Sequence, residues 1–190
     1  MLEKMPALVG RALRDARPPL ISLTFHGADM AQVPELIRVS SEVFADGGML
    51  PARCTEDGDG VSPPLQWWGV PRGAQSVVLL VEDADSPTPQ PLVHALVWGL
   101  PGSDGELQEG ALSESLPDDR MEFGRNSLMR TKYLAPDPPP GHGRHRYLFQ
   151  FYALNQPLAV SRHAGRGELL EAMRGHVMAK GCITGIYERD

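Results

Sequence analysis

The stretch SVVLLVEDADSP, residues 76–87, decides the fold class that this sequence indicates. Its first seven residues, Ser76 to Glu82, form an apolar, β-branched run of strand length. Because such a run has no polar face, it predicts a central strand that is covered on both sides. Asp83 and Asp85 follow where this strand ends, which is a common place for a binding site on a rigid scaffold.

Other strand-like runs lie further out along the chain. VHALVWGL, residues 93–100, is expected to lie beside the central strand. RYLFQFYAL, residues 146–154, alternates so that Tyr147, Phe149 and Phe151 share one face, which predicts a core face. Shorter strands are predicted at residues 21–25, 36–44 and 182–188. Short strands separated by Gly, Pro and Asp clusters are typical of a mainly β sandwich or a related β architecture.

Two helices are predicted outside the strands. The first spans about residues 6–16, with Pro6 where a helix can begin and Pro18 and Pro19 after its end. The second spans Glu168 to Lys180 and is ended by Gly181, because Leu169, Leu170, Met173 and Val177 share one helical stripe. The first helix is expected to pack on the domain or a partner.

Length and charge limit the classes of protein to consider. A chain of 190 residues with 42% hydrophobic and 22% charged residues fits one compact globular domain. The net charge of −6, with basic residues spread along the chain, argues against nucleic-acid binding. No apolar run approaches the roughly 18 residues of a membrane span, and residues 1–20 lack a signal-peptide pattern, so a cytoplasmic protein without stable membrane insertion is expected. Cys54 and Cys182 are interpreted as small buried hydrophobic residues.

The candidate chemistry lies in two carboxylates and two imidazoles. Asp83 and Asp85 are two residues apart, so they share a face in an extended chain, although both residue types also form turns. His94 begins an apolar strand, where a hydrogen-bonded core histidine is the common alternative. His145 begins the aromatic strand after a Pro- and Gly-rich loop and shares a face with Tyr147. The whole segment Pro101–Gly143 is long enough to indicate function or motion.

Motif searches do not indicate a known catalytic class. The sequence has no His-x-x-x-His pair for a metal, no G-x-S-x-G elbow, no Walker loop and no G-x-G-x-x-G after a strand. No cofactor is indicated. The remaining option is anion recognition, in which a carboxylate orients an imidazole through one ring nitrogen and leaves the other nitrogen to face the ligand as a donor.

Six stretches together resemble one known family. They are VFADGGMLPARCTEDGDGVSPPLQW (43–67), VLLVEDADSP (78–87), VHALV (93–97), GRNS (124–127), PDPPPGHGRHRYLFQFYAL (136–154) and GHVMAKGCITGIYER (175–189). They are similar to the phosphatidylethanolamine-binding proteins, and most similar to the bacterial branch called Raf-kinase-inhibitor-like. The resemblance runs from about Arg38 to the C-terminus, so residues 1–37 are interpreted as an N-terminal extension, a helix followed by a strand, packed on a domain of residues 38–190.

The resemblance implies a large antiparallel sheet packed on a smaller one, with peripheral helices and a small anion pocket. Its implied ligand-binding residues are Asp83, Asp85, His94, Pro139, His145 and Tyr147. It also implies a homodimer. Ala84 replaces the usual proline of the family's D-P-D-x-P motif, and Leu92 stands where many members carry an aromatic residue, so the ligand's identity stays open.

Three functions are weighed on this basis. The first is a non-enzymatic protein that binds phosphate, a phosphorylated metabolite or a phosphorylated side chain. The second is a hydrolase or metalloenzyme that uses Asp83, His94 and His145 as bases or ligands. The third is an interaction protein, such as a regulator of a kinase, that works through the 101–143 loop or the N-terminal helix.

Overall fold

The computed structural model describes residues 6–113 and 121–190 and contains two β-sheets with two short α-helices. The large sheet has the order β2-β9-β8-β4-β5-β7 and is antiparallel except for the parallel pair β2 and β9. Its strands are β2 (Gly48–Met49), β4 (Ser76–Asp83), β5 (Leu92–Pro101), β7 (Glu122–Phe123), β8 (His145–Leu154) and β9 (Val177–Tyr187). The small sheet, in the order β1-β3-β6, consists of β1 (Arg38–Ser40), β3 (Leu65–Trp68) and β6 (Gly105–Leu107). The helices are α1 (Ala7–Ala12) and α2 (Arg166–Met173).

Strand β4 is buried along its whole length, as the apolar run predicts. It pairs with β5 on one side and with β8 on the other, which also confirms the expected neighbour. Val77, Leu79 and Val81 pack in the core with residues of the small sheet, together with Phe149 and Phe151. The alternate residues of β4 point to a second core on the opposite face of the sheet. There they pack against α2 and part of the N-terminal segment. The large sheet therefore separates two cores.

The N-terminal segment after residue 19 is fixed on that second face by a buried carboxylate. Glu82 accepts hydrogen bonds from the Thr24 amide at 2.9 Å, from Gln150 Nε2 at 2.8 Å and from Arg166 Nε at 2.6 Å. Leu23, also in this segment, is buried in the second core. One charged side chain of the sheet thus holds both α2 and residues 20–30 in place.

Several predicted elements differ from the structure. The strand predicted at residues 36–44 covers only Arg38–Ser40. Residues 21–25 are not a strand: Leu20–Ser22 and Thr24–His26 form single 3-10 turns, because Thr24 donates to Glu82 rather than to a neighbouring strand. The second helix ends at Met173 instead of Lys180. Gly175 takes φ +77°, a left-handed conformation that ends helices, and the following residues pair with β8 as the start of β9.

The first helix is shorter than the sequence pattern indicates. It covers residues 7–12 of the predicted 6–16. Residues 1–5 of the extension and residues 114–120 of the long loop lie outside the described residues, and the described part of that loop contains β6 and β7. Across the described ranges, no helix is both long and apolar enough to cross a membrane.

Candidate functional site

The candidate residues meet where three neighbouring strands begin or end. Asp83 is the last residue of β4 and lies opposite Tyr147 of β8. His145 is the first residue of β8. The ring of Tyr147 has the His94 ring edge-on at a centroid distance of 5.1 Å and the His145 ring stacked at 6.3 Å. Tyr147 therefore lies between the two histidines that the sequence singles out.

A β-bulge brings His94 into this group. In the β4–β5 ladder, Val81 lies opposite Ala95 and Glu82 lies opposite Val93, so His94 is an extra residue without an opposite number on β4. Bulges of this kind re-aim a side chain and are frequent beside active sites. Val93 packs in the second core while Ala95 packs in the core between the sheets, and His94 contacts Tyr147 on the latter side.

Asp83 orients His145, as the sequence predicts for a carboxylate and an imidazole. Its Oδ2 lies 2.8 Å from His145 Nδ1, and both side chains are buried. Its Oδ1 accepts the amide of Asp85 at 2.8 Å, which fixes the carboxylate plane. The ring of His145 is thereby held with Nε2 on the far side from Asp83.

The far nitrogen of His145 does not face open space. His145 Nε2 lies 2.7 Å from Nδ1 of His142, and His142 Nε2 lies 2.8 Å from the carbonyl oxygen of Leu13. His142 is absent from the residues selected in the sequence. The spacing His-x-x-His in the loop before β8 was the available signal, but the partner Leu13 lies 129 positions away and no local pattern indicates it.

Two polar atoms of the site have no hydrogen-bond partner among the described residues. They are His94 Nε2 and the hydroxyl oxygen of Tyr147, and both are buried. The other ring nitrogen of His94, Nδ1, lies 2.6 Å from the Leu134 carbonyl oxygen, which can only accept, so Nδ1 carries the hydrogen. Buried polar groups are nearly always paired with protein, water or ligand, so a water molecule or a small polar ligand is the expected partner of these two atoms.

Burial sets the protonation of both groups. It lowers the pKa of His94 below the ordinary imidazole value, against the opposing effect of nearby Asp83. It raises the pKa of the Tyr147 phenol well above its ordinary value, and the charge of Asp83 adds to that effect. At neutral pH, His94 is therefore neutral, with Nε2 an acceptor, and Tyr147 retains its hydroxyl proton.

The second aspartate of the motif takes part differently from the expectation. Asp85 lies in the turn after β4, so it does not continue the extended chain that would put it on the face of Asp83. Its carboxylate binds Arg146 through the amide, Nε and Nη2, each at 2.8 Å, and also forms an ion pair with Arg17. Burial alone would raise the pKa of Asp85, but the bonds from Arg146 outweigh it and hold that pKa below its usual range.

Pro139, which the resemblance places among the ligand-binding residues, lies buried in the loop that precedes His145, and its carbonyl accepts the amide of His142 at 3.1 Å. This contact shapes the turn that presents His142. Within residues 6–113 and 121–190, no three His, Cys, Asp or Glu side chains are grouped in a way that could hold a metal ion.

Comparison with known proteins identifies the family of the chain. The sequence profile of the phosphatidylethanolamine-binding proteins matches residues 40–188. The chain belongs to this family. A UPF0098 protein of Pyrococcus abyssi is 37% identical over 157 residues, which are 82% of this chain and 86% of the relative.

Two solved structures of the family share the fold. A putative phosphatidylethanolamine-binding protein homologue of Chlamydia trachomatis superposes with a TM-score of 0.74 at 34% identity and covers 82% of this chain and 99% of its own. YbcL of E. coli, described as a new member of the mammalian family, gives a TM-score of 0.75 at 26% identity with the same coverage. The predicted fold, a large sheet packed on a smaller one, is thereby confirmed.

Proposed function

We propose that this phosphatidylethanolamine-binding protein family member binds a small phosphate-like anion between His94, Tyr147 and His145. One observation carries the proposal: two buried polar atoms, His94 Nε2 and the Tyr147 hydroxyl, lack partners within residues 6–113 and 121–190 and lie beside an imidazole that Asp83 orients at 2.8 Å. Leaving such atoms unpaired costs about 1–3 kcal/mol each, a cost that a polar ligand removes.

The hydrogen-bonding roles of these groups favour an anion that still carries a proton. Tyr147 offers an O–H donor, and His145 Nε2 offers a donor when its ring is charged. His94 Nε2 is an acceptor at neutral pH because Nδ1 carries the ring's hydrogen and burial lowers the His94 pKa. Dihydrogen phosphate or a singly ionised phosphate monoester supplies both P–O acceptors and at least one P–O–H donor, so it matches all three groups.

We propose binding rather than turnover as the activity. The Tyr147 ring contacts both imidazoles and carries a hydroxyl, but a phenol whose pKa is raised by burial is a poor nucleophile at neutral pH. The described groups fix charge and hydrogen-bond direction but supply no activated nucleophile. The names of the matched family and of the solved relatives likewise describe binding proteins.

Titration calorimetry with inorganic phosphate at about pH 6.5, near the ordinary imidazole pKa, tests the proposal. The wild-type protein is expected to bind, and His145→Ala to lose at least about tenfold in affinity, the equivalent of one charge-assisted hydrogen bond. The exposed His163 lies outside the site, so His163→Ala should bind like the wild type. Equal affinity in all three proteins would contradict the proposal.

A further inference from the structure

The N-terminal residues 6–17, here called the cover, lie against the loop that leads into the candidate site. Three polar contacts tie them there. The Leu13 carbonyl oxygen lies 2.8 Å from His142 Nε2, and Arg17 Nη1 donates to the Arg144 carbonyl at 3.1 Å while pairing with Asp85. The cover thus reaches the site through His142, one ring away from His145.

The cover and the loop approach each other so closely that only glycine fits at the contact. A Cβ atom added to Gly10 of α1 would lie 2.0 Å from the Pro140 carbonyl oxygen. From the loop side, a Cβ on Gly141, which has φ +76°, would lie 2.7 Å from the Ala7 carbonyl oxygen. Both obstacles are backbone atoms, which cannot move aside as a side chain can. Because a glycine stands at the contact on each side, the close approach of the two segments is specified by the sequence.

The hydrogen-bonded pair of His142 and His145 links the cover to the site, so the cover and an anion compete for the same nitrogen of His145. Asp83 and the Leu13 carbonyl are acceptors at its two ends, so the outer nitrogens, His145 Nδ1 and His142 Nε2, both carry hydrogen. The two inner nitrogens, His145 Nε2 and His142 Nδ1, are 2.7 Å apart and are each other's hydrogen-bond partner. His142 therefore occupies the one nitrogen of His145 that an anion would contact.

The cover is held weakly compared with the segment that follows it. Helix α1 has six residues, which is too short to be stable alone, and of these it buries only Gly10. Leu8 is 77% exposed. Beyond Pro18 and Pro19, in contrast, Leu23 and Phe25 are buried in the second core. Detachment of residues 6–17 would expose little apolar surface and would leave the rest of the chain in place.

We propose that residues 6–17 are an autoinhibitory cover that a phosphate-type anion must displace in order to bind at His145. The family profile begins at residue 40, so the cover is an addition to the part of the chain that matches the family. The inference rests on the proposed anion site and specifies how access to that site is controlled.

Gly10→Ala in the full-length chain separates the cover from the loop without touching a site residue. Alanine favours helix over glycine, so α1 itself is not disfavoured, but its Cβ cannot fit against Pro140. If the cover is closed about 90% of the time, its release lowers the apparent Kd for inorganic phosphate about tenfold. Leu8→Ala, at the exposed position of the same helix, is the matched control and should bind like the wild type.

Limited digestion with trypsin gives a second readout that does not depend on affinity. Cleavage after Arg11 or Arg14, followed by mass spectrometry, should be faster in Gly10→Ala than in Leu8→Ala. Added inorganic phosphate should accelerate it in the wild type.

The outcomes separate the two hypotheses. Phosphate binding that is equal in Gly10→Ala and wild type, with cleavage unchanged by phosphate, overturns the cover and leaves the anion site standing. Absence of phosphate binding in every variant, including Gly10→Ala, overturns the anion site and the cover's role together.

Discussion

The acceptor role of His94 predicts that the site distinguishes phosphate from sulfate. The two anions have nearly the same shape, but near neutral pH phosphate retains a proton and sulfate does not. His94 Nδ1 donates to Leu134 at 2.6 Å, so Nε2 of the neutral ring presents a lone pair. A P–O–H group can donate to that lone pair, whereas a sulfate oxygen would leave it unpaired and oppose it with a second lone pair.

The size of the preference follows from the burial of that nitrogen. His94 is 3% exposed, so water cannot replace the missing donor. An unpaired buried acceptor costs about 1–3 kcal/mol, which corresponds to about 5- to 150-fold in affinity. Burial lowers the pKa of His94, so the ring stays neutral down to a pH below the ordinary value. Only at lower pH does Nε2 gain a proton, and it can then donate a hydrogen bond to a sulfate oxygen. The preference for phosphate should therefore shrink as the pH falls.

Paired calorimetric titrations with sodium phosphate and sodium sulfate at matched ionic strength measure the preference. The wild type should favour phosphate by the factor above at about pH 7 and by less as the pH falls below the ordinary imidazole pKa, where a ring of lowered pKa gains its proton. In His94→Gln the terminal amide can donate or accept, so the ratio should fall toward one, while His163→Gln should keep it. If sulfate binds the wild type as tightly as phosphate does at about pH 7, the assigned role of His94 is refuted.

Two further predictions concern stability and are measured by urea unfolding. Arg166→Met removes a partner of the buried Glu82 and should lower the free energy of unfolding by about 3 kcal/mol. Its control, Arg162→Met, breaks an exposed pair with Glu122 and should cost less than about 1 kcal/mol. Equal losses would contradict the anchoring role of Glu82. Because the pKa of Asp85 is lowered in the folded protein, its bonds stabilise the fold fully above about pH 4 and are lost as the pH falls through that lowered pKa. Asp85→Asn should therefore be less stable than the wild type at neutral pH, and its stability should depend less on acid. An unchanged acid dependence would argue against this role of Asp85.

Patterns local in sequence predicted the parts of the structure that depend on local chemistry. The apolar run of β4 and the alternating aromatics of β8 indicated strands because their side chains report which faces are buried. The strand-end positions of Asp83 and His145 indicated a site because both lie where apolar runs stop. The resemblance then added the arrangement of the two sheets, which spacing alone did not give.

The features that sequence patterns missed depend on contacts between distant parts of the chain. His142 bonds to Leu13 across 129 positions, and Asp85 turns to Arg146 rather than along the strand. Residues 177–180 carry a helical stripe, yet pairing with β8 extends β9 through them. The homodimer, the kinase partner and the cytoplasmic location remain predictions.

The bulge at His94 means that the site can change without a change in the pairing of the sheet around it. Because Val93 and Ala95 already face their partners on β4, deletion of the single residue between them would remove this register shift without moving any other side chain to the opposite face, and the separate shift between Val77 and Leu79 would remain. The sheet therefore does not need His94 for its strand pairing. A lineage could lose the ligand through one in-frame codon deletion while the fold survives, so shared architecture among relatives is a poor guide to whether they still bind anything at this position.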